Sequence, residues 1–394
     1  MKQIYFDNAA TSFPKAPKLA KTVGEFIDNA SVNVGRGVYP LSVKSSQIVL
    51  ETREMLCRFF DCGDVAKFSK RIIFTSGVTS SVNIFLRGLL QKGDHIVTGS
   101  MEHHCVMRTL FALQKERGIT FDTAHANKLG IVEAKEIEKL IKPNTKAVII
   151  NHASNVFGSV SSIEEISKVC KKHNIFFAVD TAQTAGVIPI SVSKSNIDFL
   201  AFSGHKGLLS LQGIGGFYVS ERLEKVLVPT VTGGTGSFSQ SFEQPSVLPD
   251  KYESGTLNLC GIYSLNHSLK YIEKVGIDNI REKEIFLRRR FIDGVKNILG
   301  ITVYCADLSD DKCTAVVSIS FDDLDNAFVA NELYERYGIM VREGFHCAAL
   351  AHKSMNTDIK GTVRFSFSYF NSEEEIRFAV EALKNIAKSQ PQSF

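Results

Sequence analysis

The segments FFAVDTAQ at residues 176–183 and FSGHKG at residues 202–207 decide the fold, because each places a polar side chain just after an apolar run. The first run ends at the carboxylate of Asp180, and the amine of Lys206 follows the second. Short apolar runs of this kind are typical of buried strands, and ligands of open α/β folds bind at the carboxyl ends of such strands. Both residues are therefore ligand-site candidates. The alternatives are a salt bridge or helix cap for Asp180 and a solvated loop position for Lys206.

Outward from these segments, short β-rich runs alternate with longer helical ones, as in a mostly parallel sheet covered by helices. The predicted strands of this sheet are residues 71–74, 95–98, 146–150, 175–179, 197–202 and 215–219. Ser162 and Glu165 form a capping-box pair that predicts the start of a helix ending near Asn174.

The pattern changes after about residue 275 and predicts a smaller α+β domain. Its expected elements are a helix at 279–299, a strand at 315–321, a helix at 326–337, strands at 339–342 and 362–368, and a last helix capped by Ser372. Residues 15–275 are predicted to form the large domain, and residues 1–14 with 276–394 the small one. Disorder is expected only in residues 388–394.

Composition excludes several classes of protein. The 394 residues carry 46 Lys and Arg against 42 Asp and Glu, and 44% of them are hydrophobic, so a disordered or low-complexity chain is excluded. No apolar run is long enough to span a bilayer, and Asp7 stands where a signal peptide needs apolar residues, which predicts a cytoplasmic protein without a membrane partner. No basic block indicates nucleic-acid binding. The eight cysteines are spread singly, so no metal site is predicted.

The turn TSGVTS at residues 75–80, between a predicted strand and a predicted helix, offers backbone N–H groups, hydroxyls and a helix N-terminus to a phosphate. Taken alone it is a weak signal, because Ser and Thr also cap ordinary helices. The sequence has no Walker A loop, and its N-terminal half has no Gly-x-Gly-x-x-Gly. A phosphate turn, a carboxylate and a lysine, each at a strand end, together point to pyridoxal phosphate as the cofactor.

Seven short motifs carry a resemblance to a known family: DNAAT at residues 7–11, EHH at 102–104, SN at 154–155, VDTAQ at 179–183, SGHK at 203–206, SGT at 254–256 and REGFHCA at 342–348. Together they resemble the motifs of class V aminotransferase-fold enzymes, and within that group the chain is most similar to SufS-like cysteine desulfurases and selenocysteine lyases. The resemblance runs from about residue 4 to 385. It implies the fold type I of pyridoxal phosphate enzymes, with a mostly parallel seven-stranded sheet in the large domain.

The resemblance also implies which residues hold the cofactor ring. Lys206 would form the Schiff base with pyridoxal phosphate and move the Cα proton, and Asp180 would pair with the pyridine nitrogen. His103 would stack on the ring, while Asn155 and Gln183 would bond to its hydroxyl oxygen.

The phosphate and the substrate have implied ligands as well. The phosphate would be bound by Thr79, Ser203, His205, the backbone of Val78 and, from the second subunit of a homodimer, Thr256. Arg364 would bind the substrate carboxylate, as a planar guanidinium suits that group, and the other substrate-binding candidates are Asn33 and Arg36.

Cys347 lies seventeen residues before Arg364 and is the implied sulfur acceptor. Its alternative is a buried structural thiol, which is the role expected of most of the other cysteines. The implied reaction converts L-cysteine to L-alanine, leaves a persulfide on Cys347, and passes the sulfur to an acceptor protein. Phe345 stands where this family usually has histidine. Cys105 follows the EHH motif and is expected to be a packing residue near the cofactor.

Three alternatives remain open at this point. A selenocysteine lyase would use the same site without needing Cys347 as nucleophile. Other class V lyases or aminotransferases need no cysteine here, so the presence of Cys347 counts against them. A catalytically silent scaffold homologue is disfavoured because Lys206 and Asp180 are both retained.

Overall fold

The structure, a computed structural model, describes residues 3–35 and 37–388. Its strands are β1 Ile4–Tyr5, β2 Ile72–Thr75, β3 His95–Gly99, β4 Thr120–Ala124, β5 Thr145–Asn151, β6 Phe176–Asp180, β7 Phe199–Ser203, β8 Gly215–Val219, β9 Ile301–Val303, β10 Val316–Phe321, β11 Ile339–Met340, β12 Arg342–Gly344 and β13 Thr362–Ser366. Its α-helices are α1 Leu19–Ala30, α2 Pro40–Phe59, α3 Val65–Phe68, α4 Val78–Leu89, α5 His104–Arg117, α6 Ala134–Glu138, α7 Ile163–Lys172, α8 Glu221–Glu224, α9 Leu259–Val275, α10 Ile277–Val295, α11 Asn326–Tyr337, α12 Ala349–Ser354 and α13 Glu373–Lys388. Short 3₁₀ helices lie at Ser69–Arg71 and Asp310–Lys312. Across these residues, no helix is both long and apolar enough to cross a membrane.

The larger sheet has seven strands in the order β2-β8-β7-β6-β5-β3-β4. Every neighbouring pair is parallel except the two that involve β8, which runs antiparallel to β2 and β7. Because β2, β6 and β7 therefore point the same way, their last residues lie at one edge of the sheet. This architecture confirms the predicted α/β fold with a mostly parallel seven-stranded sheet.

The sheet is buried on both faces, which explains why its strands are almost continuously apolar. In β7, Leu200 and Phe202 belong to the core beneath α2, α7 and α9, whereas Phe199 and Ala201 belong to the core beneath α4 and α5. This alternation follows from the two-residue period of a strand. With its side chains fixed on both faces, the strand holds its carboxyl end in a defined position.

A second, antiparallel sheet has the strand order β12-β13-β10-β9 and a core of its own. Helices α10, α11 and α13 contribute Phe291, Leu333 and Leu383 to this core. The N-terminal arm joins it as well, since Phe6 is fully buried there and β1 pairs with β11. The domain boundaries at residues 14–15 and 275–276 stay a prediction.

The observed elements match the sequence-based ones closely, with differences that have physical reasons. The six predicted strands of the large sheet are present within two residues of their expected ends. The seventh, β4, was not predicted because it lies at the edge of the sheet, where its TFDTA sequence is only partly buried. Residues 339–342 divide into β11 and β12, which pair with different strands. The disorder expected at the C-terminus falls on residues 389–394, outside the described residues, while Lys388 ends α13.

Candidate active site

One cavity of about 280 Å³ lies where the carboxyl edge of the large sheet meets β12 and β13. From the large sheet it is lined by Asp180, the last residue of β6, and Ser203, the last residue of β7, together with Lys206. From the smaller sheet it is lined by Arg342 and Arg364. The structure thus brings together the carboxylate and the lysine that the sequence singled out.

Asp180 and Lys206 influence each other's ionisation in this cavity. Burial raises the pKa of Asp180, and the N–H of Ala182 and the charge of Lys206 act against that rise. Burial lowers the pKa of Lys206, and the charge of Asp180 acts in the opposite direction. Among the described residues, none accepts a hydrogen bond from the amine of Lys206, so it is available to a ligand.

His103 is held in one orientation at the N-terminus of α5. It is the N-cap residue of that helix, and its Nδ1 accepts a hydrogen bond of 3.1 Å from the N–H of Cys105. Burial and the charge of Lys206 lower the pKa of His103 to about 4. The ring is therefore neutral at pH 7, and because Nδ1 accepts, its hydrogen lies on Nε2.

The predicted phosphate turn begins α4, whose N-cap residue is Gly77 with a φ of 143°. The N–H of Val78 donates to the hydroxyl of Ser203 at 3.1 Å, which joins the turn to the end of β7. A Cβ on Gly77 would lie 3.3 Å from the same hydroxyl oxygen, a tight contact, and the positive φ also favours glycine here. Ser76 and Thr79 also line the cavity, and uncharged groups at a helix N-terminus of this kind suit an anion.

His205 borders this turn and is neutral as well. Burial and the neighbouring charges of Lys206 and Lys15 lower its pKa to about 4. Its Nδ1 lies 3.1 Å from the hydroxyl of Thr11, which leaves Nε2 for the cavity.

The two predicted ligands of the ring hydroxyl both line the cavity. Asn155 donates from Nδ2 to the carbonyl of His346 at 2.7 Å, and its buried Oδ1 has no partner among the described residues. Gln183 donates from Nε2 to the carbonyl of Ala9 at 3.0 Å. A buried amide oxygen without a partner is costly unless a ligand supplies a donor, so Asn155 fits a site that binds a hydroxylated ring.

Arg364 extends from the middle of β13 and is almost completely buried. Its Nη2 pairs with the carboxylate of Asp7 at 2.6 Å, and its Nη1 donates to the carbonyl of Asn155 at 2.9 Å. Its N–H on Nε is buried and has no partner among the described residues. Arg364 is thus a cation held in one position, and its unpartnered N–H group could donate to the carboxylate of a ligand.

Arg342 was not assigned a role from the sequence, although it opens the REGFHCA motif. It lies directly opposite Arg364 in the pairing of β12 with β13 and lines the same cavity. Like charges placed opposite each other are unfavourable, and no acidic partner of Arg342 lies within ion-pair distance in the described chain. The strand register that opposes the two arginines could not be seen in the sequence.

Cys347 is exposed, and its backbone is hydrogen-bonded to the start of α5. His346 and Cys347 have φ values of 48° and 58°, a left-handed conformation that non-glycine residues rarely adopt. The carbonyl of Cys347 accepts the N–H of His104 at 2.8 Å, and Nε2 of His104 accepts the N–H of Ala349 at 3.4 Å. These bonds hold the thiol at the mouth of the cavity, which it lines while staying exposed.

Two predicted site residues, both described by the structure, do not line this cavity in a single chain. Asn33 and Thr256 line a different cavity, together with residues 234–236. Arg36 lies outside the described residues. Their predicted roles stay predictions.

The chain has close relatives along almost its whole length. The family described as Aminotransferase class-V matches residues 4–378. A protein of Pyrococcus abyssi named probable cysteine desulfurase is 36% identical, over 98% of this chain and 94% of that protein.

Solved structures agree with the sequence matches. A cysteine desulfurase of Thermococcus onnurineus NA1 has a TM-score of 0.90 at 31% identity, over 98% of this chain and 95% of that one. The cysteine desulfurase CsdA of Escherichia coli has a TM-score of 0.86 at 25% identity, over 98% of this chain and 94% of that one. The chain therefore belongs to the aminotransferase class-V family, among the cysteine desulfurases.

Proposed function

We propose that this protein is a pyridoxal phosphate-dependent enzyme that converts L-cysteine to L-alanine and receives the sulfur on Cys347. The observation that carries this proposal is the convergence of Asp180, Lys206, Arg364 and Cys347 on one cavity. Asp180 would be the partner of the ring nitrogen and Lys206 the base. Arg364 would bind the substrate carboxylate, and Cys347 would be the nucleophile. The desulfurase relatives support the same assignment.

The residues of the cavity fit the cofactor. The turn at Gly77 with the start of α4 suits its phosphate, and the unpartnered Oδ1 of Asn155 suits its hydroxyl group. Asp180 would hold a proton on the ring nitrogen, and His103 would cover one face of the ring. When bound, pyridoxal phosphate supplies an electron-withdrawing ring that makes the Cα proton of an attached amino acid easier to remove.

The protein residues would carry out substrate binding, proton removal and sulfur transfer. Arg364 would orient the substrate carboxylate, and the amine of Lys206 would take the Cα proton, which its lowered pKa favours at neutral pH. The Sγ of Cys347, as thiolate, would attack the substrate sulfur, forming an S–S bond as the bond between sulfur and Cβ breaks. The electron pair of the broken bond stays with Cβ, which is protonated to the methyl group of alanine, and Lys206 would return a proton to Cα. Because Cys347 is exposed, an acceptor protein or a small thiol could reach the persulfide.

A product assay tests this proposal. We expect the protein, supplied with pyridoxal phosphate and L-cysteine but no other thiol, to form about one alanine per site and then stop with a persulfide on Cys347. Added dithiothreitol should remove that sulfur as sulfide and give continuous, equimolar alanine and sulfide. The proposal would be wrong if sulfide appeared with pyruvate instead of alanine, or if neither product formed.

We also propose that the active enzyme is a homodimer in which Thr256 of one chain completes the phosphate site of the other. Thr256 and Asn33 share a cavity that the first site does not include. Neighbouring segments expose large apolar side chains, namely Val38, Val231, Phe238 and Phe242, as expected of a surface that another chain covers.

Mixing two inactive variants tests the shared site. We expect Lys206→Ala and Thr256→Ala homodimers to be weakly active or inactive, and their mixed dimer to regain activity at the one site that has both residues intact. The Thr256→Ala homodimer should also bind pyridoxal phosphate more weakly. No recovery in a mixed dimer verified by mass spectrometry would place Thr256 in the site of its own chain or in none.

A further inference from the structure

Cys105 connects two groups of the candidate site. It is the second residue of α5 and is buried, with 7% of its surface exposed. Its backbone N–H donates to Nδ1 of His103 at 3.1 Å, and its Sγ lies 3.7 Å from Oδ2 of Asp180. The expectation of a packing role describes its burial but not this second contact.

The thiol is the donor in the contact with Asp180. An ionised carboxylate can only accept hydrogen bonds. Burial and the nearby carboxylates of Asp180 and Glu102 raise the pKa of Cys105 far above its usual range, so the sulfur keeps its proton. The contact is therefore an S–H group directed at a carboxylate oxygen.

The carboxylate of Asp180 accepts few hydrogen bonds. Its Oδ1 accepts a hydrogen bond from the N–H of Ala182 at 2.8 Å, and its Oδ2 accepts one from the thiol of Cys105. In the described part of the chain, these are the two hydrogen bonds to this carboxyl group. A donor on each oxygen fixes the carboxyl plane and favours the ionised form against the effect of burial.

We propose that Cys105 is a positioning residue of the reaction, whose thiol holds the carboxylate of Asp180 ionised and directed at the ring nitrogen of the cofactor. This inference rests on the proposed function, since it assumes that pyridoxal phosphate occupies the cavity. Cys105 does not act as a nucleophile in this role: no bond to its sulfur is made or broken. Cys347, which is exposed, and Cys105, which is buried, thus serve the same site in different ways.

Two substitutions at Cys105 and one control separate positioning from packing. Cys105→Ala removes the donor, and Cys105→Ser replaces it with a hydroxyl. Cys170→Ala is the matched control, because Cys170 is also a buried thiol but lies on α7 and does not line the cavity. The readouts are the dissociation constant of pyridoxal phosphate from the apoprotein, the pH dependence of the visible absorption of the bound cofactor, and the melting temperature of the apoprotein.

We expect Cys105→Ala to bind pyridoxal phosphate about fivefold more weakly, the size of effect given by loss of one modest hydrogen bond, and to shift the pH dependence of the absorption. Cys105→Ser should recover most of both properties, and Cys170→Ala should change neither, even if its melting temperature falls. The inference is overturned if Cys105→Ala matches Cys170→Ala in affinity and pH dependence, or if Cys105→Ser behaves like Cys105→Ala. If the unsubstituted protein does not bind pyridoxal phosphate at all, the proposed function itself fails.

Discussion

Lys206→Ala is expected to abolish alanine formation from L-cysteine, with a loss of at least about 1,000-fold. The reason is that Lys206 is the amine in the cavity without a hydrogen-bond acceptor among the described residues, and it lies close enough to Asp180 for each charge to alter the other's pKa. Alanine at this position removes both the covalent attachment point of the cofactor and the base. Reduction with borohydride gives a direct measurement, because it should fix pyridoxal phosphate permanently to the unsubstituted chain and not to the variant.

Lys15→Ala is the matched control for this substitution. Lys15 is also a partly buried lysine, with a pKa lowered to about 8, and it donates to the carbonyl of His205 next to Lys206. It does not line the cavity, so its removal should leave the reductive labelling intact. Equal labelling of the Lys206→Ala variant and the unsubstituted chain would contradict the assignment of Lys206.

The pH dependence of this attachment follows from the same contacts. Only an unprotonated amine attacks an aldehyde, and burial lowers the pKa of Lys206, so attachment of pyridoxal phosphate should proceed at a lower pH than with an ordinary exposed lysine. The charge of Asp180 raises that pKa. Asp180→Asn should therefore move the pH profile of attachment lower still, even though it weakens retention of the cofactor.

The large sheet and the meeting of Asp180 and Lys206 in one cavity could be predicted because each signal is local in sequence. Asp180 and Lys206 follow short apolar runs of the kind typical of buried strands, and parallel strands bring their carboxyl ends to one edge. The phosphate turn is equally local, since strand, glycine and helix follow one another within residues 72–80.

The features that escaped prediction depend on contacts between distant segments. Arg342 faces Arg364 only through the register of β12 with β13, and the partner of Arg364 is Asp7, which lies 357 residues away in sequence. The bond between Cys105 and Asp180 likewise joins two separate elements. Asn33 and Thr256 show a further limit, because the cavity they share is not the one that holds Lys206.

Cys347→Ala is expected to lower alanine formation from L-cysteine at least about 100-fold while leaving binding of pyridoxal phosphate unchanged. The thiol is exposed and is not one of the predicted cofactor ligands, so its loss should remove the sulfur acceptor and not the cofactor site. With L-selenocysteine the same variant should keep most of its activity, because selenium leaves carbon more easily and needs no nucleophile. Alanine, sulfide and selenide are measured side by side, with dithiothreitol present to reduce the released sulfur and selenium.

Cys260→Ala provides the control, since Cys260 is a partly exposed thiol that does not line the cavity, and both of its activities should match those of the unsubstituted chain. The pattern of losses then separates the possible functions. Loss of alanine formation with L-cysteine alone would identify the Sγ of Cys347 as the atom that receives sulfur. Equal loss with both substrates would mean that the left-handed segment at His346 and Cys347 shapes the site instead, because its bond to the N–H of His104 also holds the start of α5. No loss with either substrate would make Cys347 dispensable, and the enzyme would then be a lyase that releases sulfur directly.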